Sequence, residues 1–155
     1  MAAKECLKDY TAQKREAEDL ELRVEELRQK RLRVKSYDTS GISRRTRRDI
    51  ADTVATIDEL ISWYLSKIAE QADREKEIDE TIEKIDDPIE REILILRYIR
   101  DKNPKTGKPY TWREIGDRVG YSERNAQYKH GDALISFEAA AEKKSLRSVA
   151  DTIVL

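Results

Sequence analysis

The sequence predicts an all-α protein in which a long antiparallel helical hairpin precedes a small trihelical domain. Three observations carry that expectation. Charged residues make up 41% of the 155 residues, while there are only five Gly, three Pro and a single Phe. Such a chain is rich in helix formers and poor in strand formers. Apolar residues recur at three-and-four spacing over two long stretches of the first half, which is the period of an amphipathic helix. Finally, residues 111–124 carry a capped helix start, a glycine and a second capped start in close succession. The expected division is a hairpin over 1–86, the trihelical domain over 87–142 and a tail over 143–155.

Nothing between Ala3 and Lys35 breaks a helix. Ala3, Leu7 and Tyr10 share one face, and Ala17, Leu20, Val24 and Leu27 continue it, interrupted by Lys14 and Arg31. Ser36 to Gly41 is the first loop by its turn residues. A second helix is expected from near Thr46 to about Ile85. Its Ile50, Val54, Ile57, Ile61, Tyr64 and Ile68 form a heptad seam, widened by Leu60 and Leu65. Trp63 and Tyr64 lie on or beside that seam and are expected in a core or an interface. Two long helices joined by a short loop fold back most simply as a hairpin. A seam this narrow seldom suffices alone, so a homo-oligomer, a dimer first, is expected.

Asp87-Pro88 marks the next boundary, with Asp as N-cap and Pro at the first helical position. The helix that follows is expected from Ile89 to about Arg100, burying Ile89, Ile93 and Leu96 together with Ile99 or Tyr98. Residues 101–109 form a turn-rich basic loop. Thr111 and Glu114 then have the spacing of a capping box. Gly116 suits a close helix crossing, and Ile115 and Val119 share one face. Gly120 supplies a left-handed stop, Tyr121 an apolar plug and Ser122 the N-cap of a last helix reaching about Glu142. Trp112 is expected to pack. This is the pattern of a helix-turn-helix, whose second helix presents its first turns to the major groove. In the tail, Val149, Ile153, Val154 and Leu155 either pack or fray.

The net charge of −1 hides a segregation. Nine Lys and Arg stand between Arg28 and Arg48 against Asp38 alone, and eleven acids stand between Glu70 and Glu92 against four bases. From Arg100 to Gly131 there are eight Lys and Arg against four acids, and the only histidine, His130. Binding to nucleic acid responds to such local fields rather than to the total. A lone cysteine, Cys6, excludes an intrachain disulfide and points to a reducing, cytoplasmic setting. No window approaches the roughly 18 apolar residues of a membrane span. One His and one Cys far apart give no metal spacing, and residues 103–108 lack the glycine pattern of a phosphate loop. No enzyme chemistry, cofactor or metal is therefore expected.

Candidate base readers are Glu123, Arg124, Asn125, Gln127 and Tyr128. Arg holds guanine bidentately, Asn or Gln holds adenine, Tyr touches a thymine methyl, and Glu either accepts from cytosine or only complements the helix dipole. Candidate phosphate contacts are Lys108, Tyr110, Thr111, Arg113, Ser122 and Lys129, with Lys105 extending the grip. Lys129 stands at a position expected to face the core. Either its stem is buried with the ammonium at a phosphate, or Tyr128 or His130 fills that place instead. Arg44, Arg45, Arg47 and Arg48, with Arg28 to Lys35 opposite them, form a basic hairpin tip. That tip is a second nucleic-acid surface, a solvated end, or a partner for residues 70–92 of another subunit.

Asp87-Pro88-x-Glu90-Arg91-Glu92-Ile93-Leu94-x-Leu96-Arg97-Tyr98 resembles the first helix of region four in bacterial sigma factors. The Thr-x-x-Glu-Ile-Gly helix and the Val-Gly-Tyr-Ser turn continue the resemblance in register. Closer is the similarity to phage-encoded regulators of the ArpU-like and RinA-like late-gene type, which keep such a module behind a helical hairpin. Asp52-Thr53-Val54-Ala55-x-Ile57, Gly120-Tyr121-Ser122-Glu123-Arg124 and His130-Gly131-x-Ala133-Leu134 carry it, over roughly residues 47–137. The loop at 101–109 is longer than the tight turn of that group. The resemblance implies a sequence-specific transcription regulator that binds double-stranded DNA and contacts RNA polymerase. The alternatives are a phage packaging-type DNA recognition subunit and a helical adaptor that binds protein only.

Overall fold

Ser43 sets the start of the second helix earlier than the hydrophobic pattern suggests. Its hydroxyl accepts from the Thr46 amide at 3.2 Å, so the helix begins at Arg44 rather than near Thr46. The computed structural model describes residues 2–36, 41–100 and 102–154, with the side chains of 146–154 excepted. Among these residues there is no strand. The helices are α1 (Ala2–Lys35), α2 (Arg44–Glu83), α3 (Pro88–Leu94), α4 (Trp112–Val119) and α5 (Glu123–Val154). No helix is long and apolar enough to cross a membrane, among the described residues. Tyr37 to Ser40 of the expected first loop, and the side chains of Val149, Ile153, Val154 and Leu155, lie outside them.

Two expected boundaries move, each for a local reason. The helix after Asp87 does not run regularly to Arg100. It is α-helical to Leu94 and then widens into one π-type turn over Ile95–Ile99, closed by the Arg100 amide on the Ile95 carbonyl at 2.7 Å. The last helix does not stop at Glu142 but continues to Val154. No Gly or Pro occurs after Gly131 to end it.

The chain forms two compact units, and their division is not at residue 86. One unit joins Met1–Ala12 to Arg74–Leu155, and the other is Gln13–Asp73. The first turns of α1 thus belong with the C-terminal helices. Ala3, Leu7 and Tyr10 are buried in a core with Ile78, Ile82 and Ile85, Leu94 and Tyr98, and Ala133, Leu134 and Phe137. The Ala3 amide donates to Glu138 at 3.1 Å, and the Thr11 hydroxyl donates to the Tyr98 carbonyl at 3.0 Å. A second core of Ile93, Leu96, Tyr110 and Ile115 lies between α3 and α4, flanked by Ile89, Trp112 and Val119. The helix at 88–99 therefore buries two faces, which explains its near-continuous apolar run.

In the unit of residues 13–73, Val24 and Ile57 are buried, while the rest of the expected seam is half-buried. The Arg31 guanidinium donates to the two Asp58 carboxylate oxygens through Nε and Nη2, and the hydrogen bond between Arg23 and Tyr64 raises the Arg23 pKa. These two contacts run in opposite order along α1 and α2. Trp63 is 56% exposed and lies edge-on to Tyr64, so it is not a core residue; the seam turns Tyr64 inward instead. Leu60 and Leu65 are likewise exposed.

Gly116 and Gly131 show opposite uses of glycine. A Cβ at Gly116 would stand 2.5 Å from the Tyr121 carbonyl oxygen and 3.2 Å from the Ser122 backbone, neither of which can swing aside. A Cβ at Gly131 would meet nothing within 4 Å. Gly116→Ala is expected to cost about 1–3 kcal/mol by overpacking. Gly131→Ala is expected to gain up to about 1 kcal/mol of helix propensity. Urea denaturation of the two variants checks both signs.

Candidate nucleic-acid interface

Thr111 and Glu114 cap α4 reciprocally. The Glu114 amide donates to the Thr111 hydroxyl at 3.2 Å and the Thr111 amide donates to the Glu114 carboxylate at 3.3 Å. The helix ends at Gly120, whose φ of 78° lies in the left-handed region. The Tyr121 amide then returns to the Gly116 carbonyl at 2.8 Å. Because Gly116 has no side chain, Tyr121 and Ser122 cross directly over α4. Ser122 starts α5 by accepting from the Asn125 amide at 3.2 Å. Each step is local, and together they fix where α5 begins.

Burial along α5 fixes which face it presents. Ala126, His130, Ala133, Leu134 and Phe137 point inward. The opposite line, by the 3.6-residue period, is Arg124, Tyr128 and Ile135, with Asn125 and Gln127 on its flanks. All five candidate base readers, Glu123, Arg124, Asn125, Gln127 and Tyr128, are exposed. Tyr128 is 66% exposed, with the Arg124 guanidinium 5.7 Å from its ring and hydrogen-bonded to its hydroxyl at 3.4 Å. The stack holds the arginine fork beside the ring and gives it a defined direction.

Among the phosphate candidates, Lys108, Thr111, Arg113 and Ser122 are exposed, as is Lys105. The Thr111 and Ser122 hydroxyls accept from helix amides, so each keeps its own O–H to donate to a phosphate. The loop that carries Lys105 and Lys108 is organised by Asn103, a role not foreseen from the sequence. The Asn103 side-chain oxygen accepts from the Lys105 amide at 2.9 Å, its side-chain nitrogen donates to Glu114 at 3.3 Å, and its amide donates to the Lys108 carbonyl at 2.8 Å. Asn followed by Pro and a downstream Gly is the signal that marks such a turn.

Two phosphate candidates are corrected. Tyr110 is 5% exposed and packs with Ile93, Leu96 and Ile115, so its ring belongs to the core. Lys129 is not turned toward a phosphate. Its ammonium lies 2.7 Å from Asp87 and 3.5 Å from Glu90. Asp87 also caps α3, accepting from the Ile89 amide at 2.8 Å, and Glu90 is buried with an oxygen 2.6 Å from the Ser136 hydroxyl. The hydrogen bond to Lys129, then that to the Ile89 amide, holds the Asp87 pKa below the usual range. The same partner raises the Lys129 pKa.

His130 takes the inward place that the sequence left open between it and Tyr128. Its Nε2 is hydrogen-bonded to the Tyr98 hydroxyl at 2.8 Å, and the Trp112 ring meets it edge-on at 4.9 Å between centroids. The Arg97 guanidinium covers Trp112 at 4.7 Å, which keeps Trp112 in a packing role. Burial, then the charges of Arg97 and Lys4, push the His130 pKa down to about 4. His130 thus adds no positive charge near neutrality. Arg44, Arg45, Arg47 and Arg48 are exposed in the other unit. Among the described residues, no group of three or more His, Cys, Asp or Glu is placed to hold a metal.

A histidine depressed from 6.5 to about 4 destabilises the fold in acid. Between those values the unfolded chain binds a proton that the folded chain refuses, so stability falls as pH drops from about 6.5 toward 4. The depressed Asp87 loses its contribution only below the ordinary carboxylate range, outside most of that window. A loss of about 1–3 kcal/mol is expected across it in denaturant titrations. The fall is expected to flatten in His130→Gln.

Comparison with known protein families, with curated proteins and with solved structures found no match.

Proposed function

We propose that the chain is a sequence-specific DNA-binding protein that reads the major groove with the first turns of α5. The observation that supports this most is the sorting of side chains there. Arg124, Asn125, Gln127 and Tyr128 are all exposed around the buried Ala126. The groups that project suit base edges, and the preceding helix, turn and caps have the order of a helix-turn-helix. Exposed Thr111, Arg113 and Ser122 flank them as backbone contacts. Asp132 stands on the same side of α5 two turns further on and is exposed. Its charge repels phosphate, which confines contact to the first turns.

The resemblance to sigma region four, through Asp87-Pro88 and Val119-Gly120-Tyr121-Ser122, makes a phage or prophage transcription regulator the best reading of that DNA binder. In this reading the long helices form a hairpin that carries a dimer contact, and RNA polymerase is a partner. Exposed Tyr128 and Ile135 on one line favour a second reading, a protein-binding adaptor. Selection from a random duplex library separates the two, since an adaptor enriches no sequence.

Arg124→Ala is expected to cost about 1–3 kcal/mol in binding to the selected site and to relax preference at one base pair. Competition binding against single-base variants of that site measures both. Equal affinity and equal preference in the variant reject Arg124 as a base reader.

A further inference from the structure

The unit of residues 13–73, which does not include α5, carries a group of exposed cations. Arg44, Arg45 and Arg48 lie in the first turns of α2, and Arg28, Lys30 and Arg33 in the last turns of α1; all are exposed. Three other cations of this unit are paired, Arg23 with Asp19, Arg31 with Asp58 and Lys67 with Glu70. None of these six side chains has an ion pair, hydrogen bond or ring contact among the described residues. Asp49 and Asp52 follow on α2, both exposed and neither paired with these arginines.

The start of α2 concentrates the charge further. It has no acidic residue in its first turn, whereas α1, α3, α4 and α5 begin with Glu5, Glu90, Glu114 and Glu123. A helix start is itself partly positive, so arginines there are repelled by the backbone as well as by one another. An anion brought to this end relieves both repulsions.

We propose that this basic end is a second DNA-contacting surface, which takes the sugar-phosphate backbone of duplex DNA without reading its sequence. The inference rests on the reading of the chain as a DNA binder, though on none of its base contacts. Five of the six cations are arginines, whose planar fork holds two phosphate oxygens at once. The ion pair of Arg31 with Asp58 sets the end of α1 beside α2 beyond its first turns. The cations are therefore spread along the helices rather than gathered at one point, as a continuous backbone requires. The acidic stretch of a second copy fits less well. Glu70, Glu80, Asp87 and Glu90 there already pair with Lys67, Lys144 and Lys129 of their own chain.

The test compares the full-length protein with its R44A/R45A/R48A variant, whose helix content is checked by circular dichroism. Binding is titrated with KCl on the duplex selected from a random library and on a scrambled duplex of equal length. The slope of log K against log[salt] is expected to flatten by about 2–3, since each lost phosphate contact removes about 0.9. The flattening is expected on both duplexes, with the ratio of their affinities unchanged, and R44K/R45K/R48K is expected to keep the slope. An unchanged slope in the alanine variant overturns the proposal, as does equal flattening in the lysine variant, which marks a structural role. A DNA-free variant that sediments as a smaller species with its slope intact assigns the arginines to a second copy and also overturns it. If the wild type prefers no sequence yet the variant still loses slope, base reading by α5 fails and this surface stands.

Discussion

The rotation of α5 about its own axis depends on Lys129 standing between Asp87 and Glu90. The apolar inward side is modest near the start of this helix, where only Ala126 and His130 are buried before Ala133. Small side chains alone resist rotation weakly, because little volume interlocks. A half-buried ammonium between two carboxylates adds to that resistance: turning α5 away leaves the buried Glu90 carboxylate without its cation. Asp87 serves both ends of this arrangement, since its Oδ2 meets Lys129 while its Oδ1 caps α3. The start of α3 and the setting of α5 are thus coupled through one carboxylate. Arg124 and Tyr128 face outward as a consequence.

The local rules were legible in the sequence, and the tertiary ones were not. The capping box of Thr111 and Glu114, the Gly120 stop, the Ser122 cap and the Asp87-Pro88 start each need only neighbouring residues, and all four appear where the sequence puts them. The seam residues Ile57 and Val24 are likewise read from period alone. Lys129 was not legible, because its partners stand about forty residues upstream and no periodicity relates them. Tyr110 misled for the opposite reason. A tyrosine one residue before an N-cap suits a phosphate as well as a core, and only the apolar contacts from α3 decide. The π-type turn at Ile95–Ile99 has no sequence signal of its own; Ile93 and Leu96 serve one core and Leu94 and Tyr98 the other.

The placement of Ala3, Leu7 and Tyr10 shows the same limit at the level of units. Their spacing marks an apolar face without naming what covers it. Placed among Ile82, Leu94 and Phe137, they enlarge a core to which residues 87–142 contribute Leu94, Tyr98, Ala133, Leu134 and Phe137. A trihelical module of that size buries little surface for its length. The start of the chain is thus part of what keeps α3 and α5 together. A chain shortened to begin at residue 87 would lose six buried side chains from that core, Ala3, Leu7, Tyr10, Ile78, Ile82 and Ile85.

Histidine counts as a cation in any sequence-level charge sum taken below its pKa, and here that counting is misleading. His130 is enclosed by Tyr98 and Trp112, with Arg97 and Lys4 near enough to oppose its protonation. Neutral imidazole serves as a shaped, polar core residue that satisfies the Tyr98 hydroxyl, whose burial would otherwise cost about 1–3 kcal/mol. With Lys129 neutralised by Asp87 and Glu90, two of the nominal positive groups of α5 face the core and its edge. The positive charge of this surface is then carried by Arg113, Arg124 and the loop lysines, all of them exposed. In the proposed reading, few strong backbone contacts remain on α5 itself, and base edges and hydroxyls would carry most of its contact with a duplex. Affinity that is short of phosphate contacts at one surface has most to gain from unpaired arginines at another.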